Sequence, residues 1–404
     1  MKKLLLVVST VLALVACSEQ KELTEIEAMA AKSEYYVNST QAENVASSFL
    51  LNRVSNNTKA LAETKDYKVK NSFTVDDEAG IPFINVINYE NGGFVIVSGD
   101  KRLLPILAYS ENGYFDNNIK NYPDGLVDWI GIIKENIQYL RNKNEEIPPE
   151  LAACWKKYTS SIITKSITPP GGPCDNLVDV SVGPLLTTSW TQGSTYNALL
   201  PSVTNGPGGH ANVGCVPLAI SQIMKYFQYP NNYQWSQMPN DAASYQTQIL
   251  IRDVFNQIDS LGMLTYNANS TPVNTSFSIS SFLKNQFGYS TASEESFDRW
   301  TTFNYILNSE KPIIMLGQVR VKFGNEYYYI GHAWVCDGAH EWDECIIQDN
   351  GDYSVVGHAL FHMNWGWGTS YNGWFGYDNG FTTLSPSGTY TLSYQLKVIN
   401  CINP

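Results

Sequence analysis

Cys215 and His332, far apart in the chain, are of the types that together make a thiolate nucleophile and its general base. Cys215 stands in Val213-Gly214-Cys215-Val216-Pro217, just ahead of Val216, Ala219, Ile220, Ile223 and Phe227, whose spacing predicts one apolar face of a helix. Pro217 suits a first helical turn. A cysteine at a helix N-terminus meets the positive end of the dipole and unpaired N–H groups, and both favour thiolate over thiol. His332 interrupts the apolar, strand-like run Tyr329-Ile330-Gly331-His332-Ala333-Trp334-Val335-Cys336, where Gly331 permits close approach of another group. Taken singly, a packed or disulfide-bonded cysteine and a hydrogen-bonded core histidine are the ordinary alternatives. The pairing of a helix-borne thiol with a strand-borne imidazole favours catalysis.

Further residue types suit supporting tasks. Gln192, in Trp190-Thr191-Gln192, can donate its side-chain amide, beside the backbone N–H of Cys215, to the oxyanion that forms when a thiolate adds to a carbonyl. Asn364, in Met363-Asn364-Trp365-Gly366-Trp367-Gly368, can accept from one ring N–H of His332 and fix its tautomer, with Trp365 shielding that bond from water. A surface glutamine and a packed aromatic turn are the plain alternatives.

A chain of 404 residues, 43% of them hydrophobic, has length for more than one core. A first unit is expected over residues 35–142. Thr40-Gln41-Ala42-Glu43 reads as a capping box before a helix that turns Ala46, Phe49, Leu50 and Val54 inward. The runs Phe83 to Tyr89 and Phe94 to Ser98 flank a glycine turn and predict a β-hairpin. Leu126, Trp129, Ile130, Ile133, Ile137 and Leu140 predict a second helix, with Asp124 favouring its positive end. Residues 143–183, with Pro148-Pro149 and Pro169-Pro170-Gly171-Gly172-Pro173, read as an exposed connection open to proteolysis. The second unit, 184–404, has helical patterns first and strands later, at Ile313 to Val319, Tyr327 to Asp337, Ala359 to Asn364 and Tyr390 to Ile399, so the class is α+β.

The N-terminus has the form of an export leader: Lys2-Lys3, the apolar run Leu4 to Leu14, then Leu14-Val15-Ala16-Cys17, a lipobox. Residues 1–16 are expected to be removed and Cys17 to be lipidated. The protein would then be an exported lipoprotein touching the membrane through Cys17, with 17–34 as a hydrophilic tether. The net charge of −12, with eight Lys/Arg against seventeen Asp/Glu from Ser166 onward, excludes nucleic acid as a partner. Cys154, Cys174, Cys215, Cys336, Cys345 and Cys401 would lie where disulfides form, and their spacing fixes no pairing.

These motifs together resemble the streptopain family of papain-fold bacterial cysteine protease zymogens. Gly214-Cys215-Val216 with Gln222-Ile223-Met224-Lys225-Tyr226, then Gly331-His332-Ala333, then Asn364-Trp365-Gly366-Trp367-Gly368 look like its nucleophile, histidine and tryptophan motifs in order. Gly92 to Arg102, with Ile106-Leu107-Ala108-Tyr109-Ser110, is similar to its inhibitory propeptide. The resemblance implies a papain-like protease domain behind a small α+β propeptide. That propeptide would act as an intramolecular inhibitor until cleavage in the connection, with Lys165-Ser166 as the candidate bond. It implies Cys215 as nucleophile, His332 as base, Gln192 as oxyanion donor, Asn364 and Trp365 as support, protein or peptide substrates, no cofactor or metal, and a monomer when mature. Two departures stand out: the segment from Glu341 to His358 is longer than the family pattern, as an added hairpin would make it, and Thr369 replaces a usual glycine.

His358 and His362, near Cys336 and Cys345, suggest a zinc hydrolase, but no glutamate follows His358 as a metalloprotease helix requires, and the run reads as a strand. A silent binding protein, a carbohydrate-binding surface built on the ten tryptophans, and a papain-fold peptidoglycan amidase are the remaining alternatives.

Overall fold

The computed structural model describes residues 34–56, 67–77, 80–118, 121–143, 145–159, 172, 174–268, 270–323, 326–348, 350–377 and 396–404. The leader, Cys17, the tether up to residue 33 and Lys165-Ser166 lie outside the described residues.

Helix α1 (Ser39–Asn56) begins slightly earlier than the sequence pattern suggests. Asn38 Oδ1 accepts from the Gln41 N–H (2.9 Å) and Gln41 Oε1 accepts from the Asn38 N–H (3.1 Å), so the capping box is Asn38/Gln41 rather than Thr40/Glu43. Glu43 instead accepts from Ser72 Oγ at 2.6 Å. The strands β1 (Val69–Asp76), β2 (Pro82–Tyr89), β3 (Phe94–Ser98) and β4 (Ile106–Ser110) follow, the expected hairpin being β2–β3. Helix α2 (Asp124–Lys143) buries the six apolar residues its spacing marked. Arg102 pairs with buried Asp100 (2.7 Å) and donates to the Leu140 carbonyl (3.1 Å), while Arg141 pairs with Asp77 (2.8 Å). These bonds fix the far end of α2.

The stretch expected as an exposed connection is in part a packed helix, α3 (Pro149–Thr159), which buries Leu151, Cys154, Trp155 and Tyr158. Four apolar or weakly polar side chains at helical spacing outweighed the flanking prolines, which sit at the helix start, where proline is tolerated. Beyond it a Cys174–Cys345 disulfide and strand β5 (Asp179–Val182), whose residues pair with Trp342 to Ala339, tie the connection down.

The second unit opens with α4 (Cys215–Phe227), α5 (Tyr245–Ser260) and α6 (Ile279–Phe287), then β6 (Thr291–Ser296), α7 (Arg299–Ser309), β7 (Ile313–Phe323), β8 (Glu326–Ile347), β9 (Tyr353–Asn364), β10 (Gly373–Phe375) and β11 (Lys397–Asn403). Strands β8 and β9 stay paired out to Ile347 and Tyr353, which is the added hairpin the sequence called for. Of the expected strand Tyr390 to Ile399, residues up to 395 lie outside the described ones; β11 covers Lys397 onward and runs on to Asn403.

All strand pairs are antiparallel, and the sheet order is β1-β2-β3-β4-β10-β9-β8-β7-β11-β6. The two expected units thus share one sheet, joined where Tyr109 and Ala108 of β4 pair with Trp374 and Phe375 of β10. They also share cores. One cluster holds α4, α5 and α6 against β7 and β8 and is made by the second unit alone. A second joins Leu126, Trp129 and Ile133 of α2 to Trp334, Phe361, Trp365 and Phe375, and a third joins Phe49 of α1 and Trp155 of α3 to Ile346, Val356 and Leu360. No helix among the described residues is long and apolar enough to cross a membrane.

Candidate active site

Cys215 is the first residue of α4, and the turn before it depends on glycine. Gly214 has φ +84°, and a Cβ there would meet Thr271 at 3.0 Å, while Thr271 Oγ1 donates to the Asn212 carbonyl at 2.6 Å. The helix differs from the one-faced pattern read from sequence: every residue from Val216 to Met224 is buried, so α4 is a central helix with neighbours on all sides. Its burial holds the half-buried Cys215 at a fixed point, with the helix's free N–H groups beside the sulfur.

His332 lies on β8 opposite Gly317 of β7 and is 8% exposed. Its ring meets Asp124 through Nδ1, 3.1 Å from Oδ2. Burial alone would lower the imidazole pKa. The interactions with Asp124 and with Cys215 outweigh it and hold the pKa up at about 10, so the ring is an imidazolium at neutral pH.

Asp124 is the first residue of α2, and the whole first turn of that helix sits over the histidine. A Cβ on Gly125 would lie 2.7 Å from the Trp334 ring and 2.9 Å from the Trp365 ring, so only glycine lets the helix come this close. One turn on, Asp128 is fully buried, and neither carboxylate oxygen has a hydrogen-bond partner. Burial pushes its pKa up to about 7, with His332 opposing and Asp124 adding to the rise. Helix α2 therefore presents two carboxylates, four residues apart, to the Cys215/His332 pair.

Gln192 is tied to the segment ahead of the nucleophile by its carbonyl, which accepts from the Val213 N–H at 3.3 Å, and its neighbour Thr191 bridges to Trp367. Asn364 is placed differently from the expectation. Its Nδ2 donates to the Thr188 carbonyl (2.7 Å), and its Oδ1 accepts from the Gly366 N–H (3.2 Å) and from Gln222 Nε2 (3.5 Å), while the histidine is held by Asp124. Thr188 Oγ1 closes this buried network on Gln222 at 2.9 Å, tying α4, the segment before Gln192 and the end of β9 together. Trp365 stacks obliquely on Trp334 (5.4 Å between centroids) and donates Nε1 to the Tyr371 carbonyl.

The residues not singled out as site residues were Asp128, Gly125, Thr188 and Gln222; Asp124 had been read only as a dipole partner. A carboxylate at Asp128, amid the apolar face that includes Leu126 and Trp129, was the one available signal. The two histidines weighed for zinc are not brought together: His358 Nε2 faces Glu344 at 3.1 Å, and His362 Nδ1 faces Asp337 at 2.6 Å. In a strand, positions four apart are too far along the chain to share an ion.

Residues 18–137 match the family model described as Spi protease inhibitor, and residues 190–233 and 230–375 match that of the Peptidase C10 family. The chain is 28% identical over 358 residues to streptopain of Streptococcus pyogenes, covering 76% of this chain and 75% of that one. It is also 28% identical over 321 residues to a thiol protease/hemagglutinin of Porphyromonas gingivalis, covering 71% of this chain but 32% of that one. Among solved structures, the prointerpain A fragment of Prevotella intermedia superposes with a TM-score of 0.54 at 18% identity, covering 83% of this chain and 99% of that one.

Proposed function

We propose that the chain is a cysteine endopeptidase of the streptopain family, peptidase C10, that it carries an inhibitor-type unit ahead of the protease, and that Cys215 and His332 are its catalytic pair. The observation that carries this reading is the placement of Cys215, at the start of a buried helix, beside His332 on the adjoining sheet, where the sulfur helps to hold the ring protonated. In the active enzyme the Cys215 thiolate attacks a peptide carbonyl, and the Gln192 amide with the Cys215 N–H hold the oxyanion. His332 protonates the leaving amine, and water hydrolyses the thioester. Asn364 serves as a positioning residue for the segment around Gln192, and Trp365 shields the histidine.

In the precursor the same histidine is engaged by Asp124, and the first turn of α2 covers Trp334 and Trp365. With His332 held by a carboxylate of α2 and the helix packed on the rings beside it, catalysis waits on departure of α2. We place the release cut in the connection, at Lys165-Ser166, leaving 166–404 as the released chain with the protease unit at 184–404. Export and anchoring through a lipidated Cys17 complete the reading, and they rest on the leader sequence alone.

The test is to follow size, casein hydrolysis and thiol-probe labelling of the wild-type chain and of Cys215→Ala after a trace of trypsin. Activity in the first and at least about a thousand-fold less in the second is expected, since the nucleophile is removed. Equal casein hydrolysis by both would overturn the assignment. Labelling of Cys17 by radioactive palmitate in cells, lost in Cys17→Ser, tests the anchor.

A further inference from the structure

We propose that Cys154, Glu344 and His358 form a zinc site that staples α3 to the β8–β9 hairpin. The three come from three elements: Cys154 from α3, Glu344 from β8 and His358 from β9. One donor atom of each lies within 4.8 Å of the other two, and all three side chains are buried. Two of them converge on the same oxygen, Glu344 Oε2, with His358 Nε2 at 3.1 Å and Cys154 Sγ at 3.8 Å. Zinc bonds of about 2.0–2.3 Å place tetrahedral ligands roughly 3.3–3.8 Å apart, so little movement separates this cluster from a coordination shell.

The surroundings suit a metal rather than a stray cluster. Glu344's other oxygen, Oε1, is already bound by the Tyr158 hydroxyl (2.6 Å) and the Lys157 ammonium (3.4 Å), which orients the carboxylate and leaves Oε2 facing inward. His358 is fixed by parallel stacking on Trp342, with 4.5 Å between centroids and 2° between planes. A sulfur, an imidazole nitrogen and a carboxylate oxygen match the borderline softness of zinc better than that of calcium or magnesium. One thiolate and one carboxylate also cancel the ion's charge, which a buried site requires. Binding releases the Cys154 thiol proton to solvent and takes His358 as the tautomer protonated at Nδ1. A water would fill the fourth position; the ligands lie in the cluster that packs α3 on the hairpin, away from the cluster that holds Cys215, so the site's effect is to join those elements.

Its place in the chain gives the staple a consequence. Cys154 lies before the proposed cut and Glu344 and His358 after it, so zinc would keep the inhibitory part attached once the chain is severed. That consequence rests on the proposed processing; the binding site does not.

The experiment uses the Cys215→Ala chain expressed from Ser18, stripped with a chelator and titrated with zinc chloride by calorimetry. Catalysis is silent and the active-site thiol gone, so the result does not depend on the protease reading. One zinc per chain is expected, with at least about a hundred-fold weaker binding in Cys154→Ala and in His358→Gln, and none of that loss in Cys401→Ser. Cobalt(II) should give a thiolate charge-transfer band that vanishes with Cys154, a readout available in the parent chain even where a variant folds poorly. No bound zinc, or zinc binding and a cobalt band unchanged by Cys154→Ala, would overturn the site.

Discussion

At the scale of single residues, the inhibited state is written in the protonation of two groups that face each other across the α2 contact. His332 has its pKa raised from 6.5 to about 10, so its contribution to the folded, inhibited chain is full below 6.5 and is lost as pH rises through 10. Asp128, raised from 3.8 to about 7, acts in the same direction: the fold favours its protonated form, fully so below 3.8, and that preference is lost as pH rises through 7. Both groups therefore make the docked α2 less stable as pH rises from acid to alkaline. Asp128→Asn is expected to flatten the fall in melting temperature between pH 4 and pH 7 and to raise it at pH 8, by roughly 2–4 °C for each kcal/mol recovered. Asp124→Asn acts on the other limb, between 6.5 and 10. Asp124 is 62% exposed, so the pair is screened and its loss should speed release of α2 by about fivefold at most. Melts of Cys215→Ser with and without each change, over a pH series, check both; parallel curves for Asp128→Asn and its parent would refute the assignment of the lower limb.

At the scale of elements, the decisive feature is the first turn of α2 lying flat on two tryptophan rings, which only Gly125 allows. Gly125→Val should cost about 1–3 kcal/mol through overpacking at this contact and raise thiol-probe labelling of Cys215 about tenfold before any cleavage. Labelling unchanged from the parent would mean that α2 does not guard the nucleophile. Much of the element plan was legible because it rests on local patterns: the β2–β3 hairpin from its glycines, α2 from its apolar spacing, the nucleophile helix from Cys215 and Pro217, the added hairpin from chain length. What escaped depended on long-range packing. The helix α3 is stabilised by burying Trp155 and Tyr158 against strands nearly two hundred residues away, and no periodicity over residues 143–183 announces that partner. The role of Asn364 was misplaced for a similar reason, since Gln222 and Thr188 compete for its amide only once α4 is packed against the sheet.

At the scale of the whole molecule, the inhibitory unit and the protease do not have separate interiors. Strand β4 continues the sheet through β10, and two of the hydrophobic clusters draw residues from both sides of the connection. Removing the first unit would uncover parts of Trp334, Trp365, Phe361 and Phe375 along with one edge of β10, an apolar area that costs about 25 cal/mol for each Å² returned to water. The full Cys215→Ala chain should accordingly unfold in one transition in urea, with tryptophan fluorescence and far-UV circular dichroism coincident, because neither part keeps its core when the other opens. The isolated segment 166–404 should melt lower and bind a hydrophobic dye that the full chain excludes. Its Cys174–Cys345 bond remains inside it and restrains the unfolded chain, so adding reductant should lower its melting temperature further. Two resolved transitions in the full chain, or an isolated segment as stable as the whole, would mean that the shared sheet joins bodies that fold independently; a single transition would make the inhibitor part of the protease's own fold until the chain is cut.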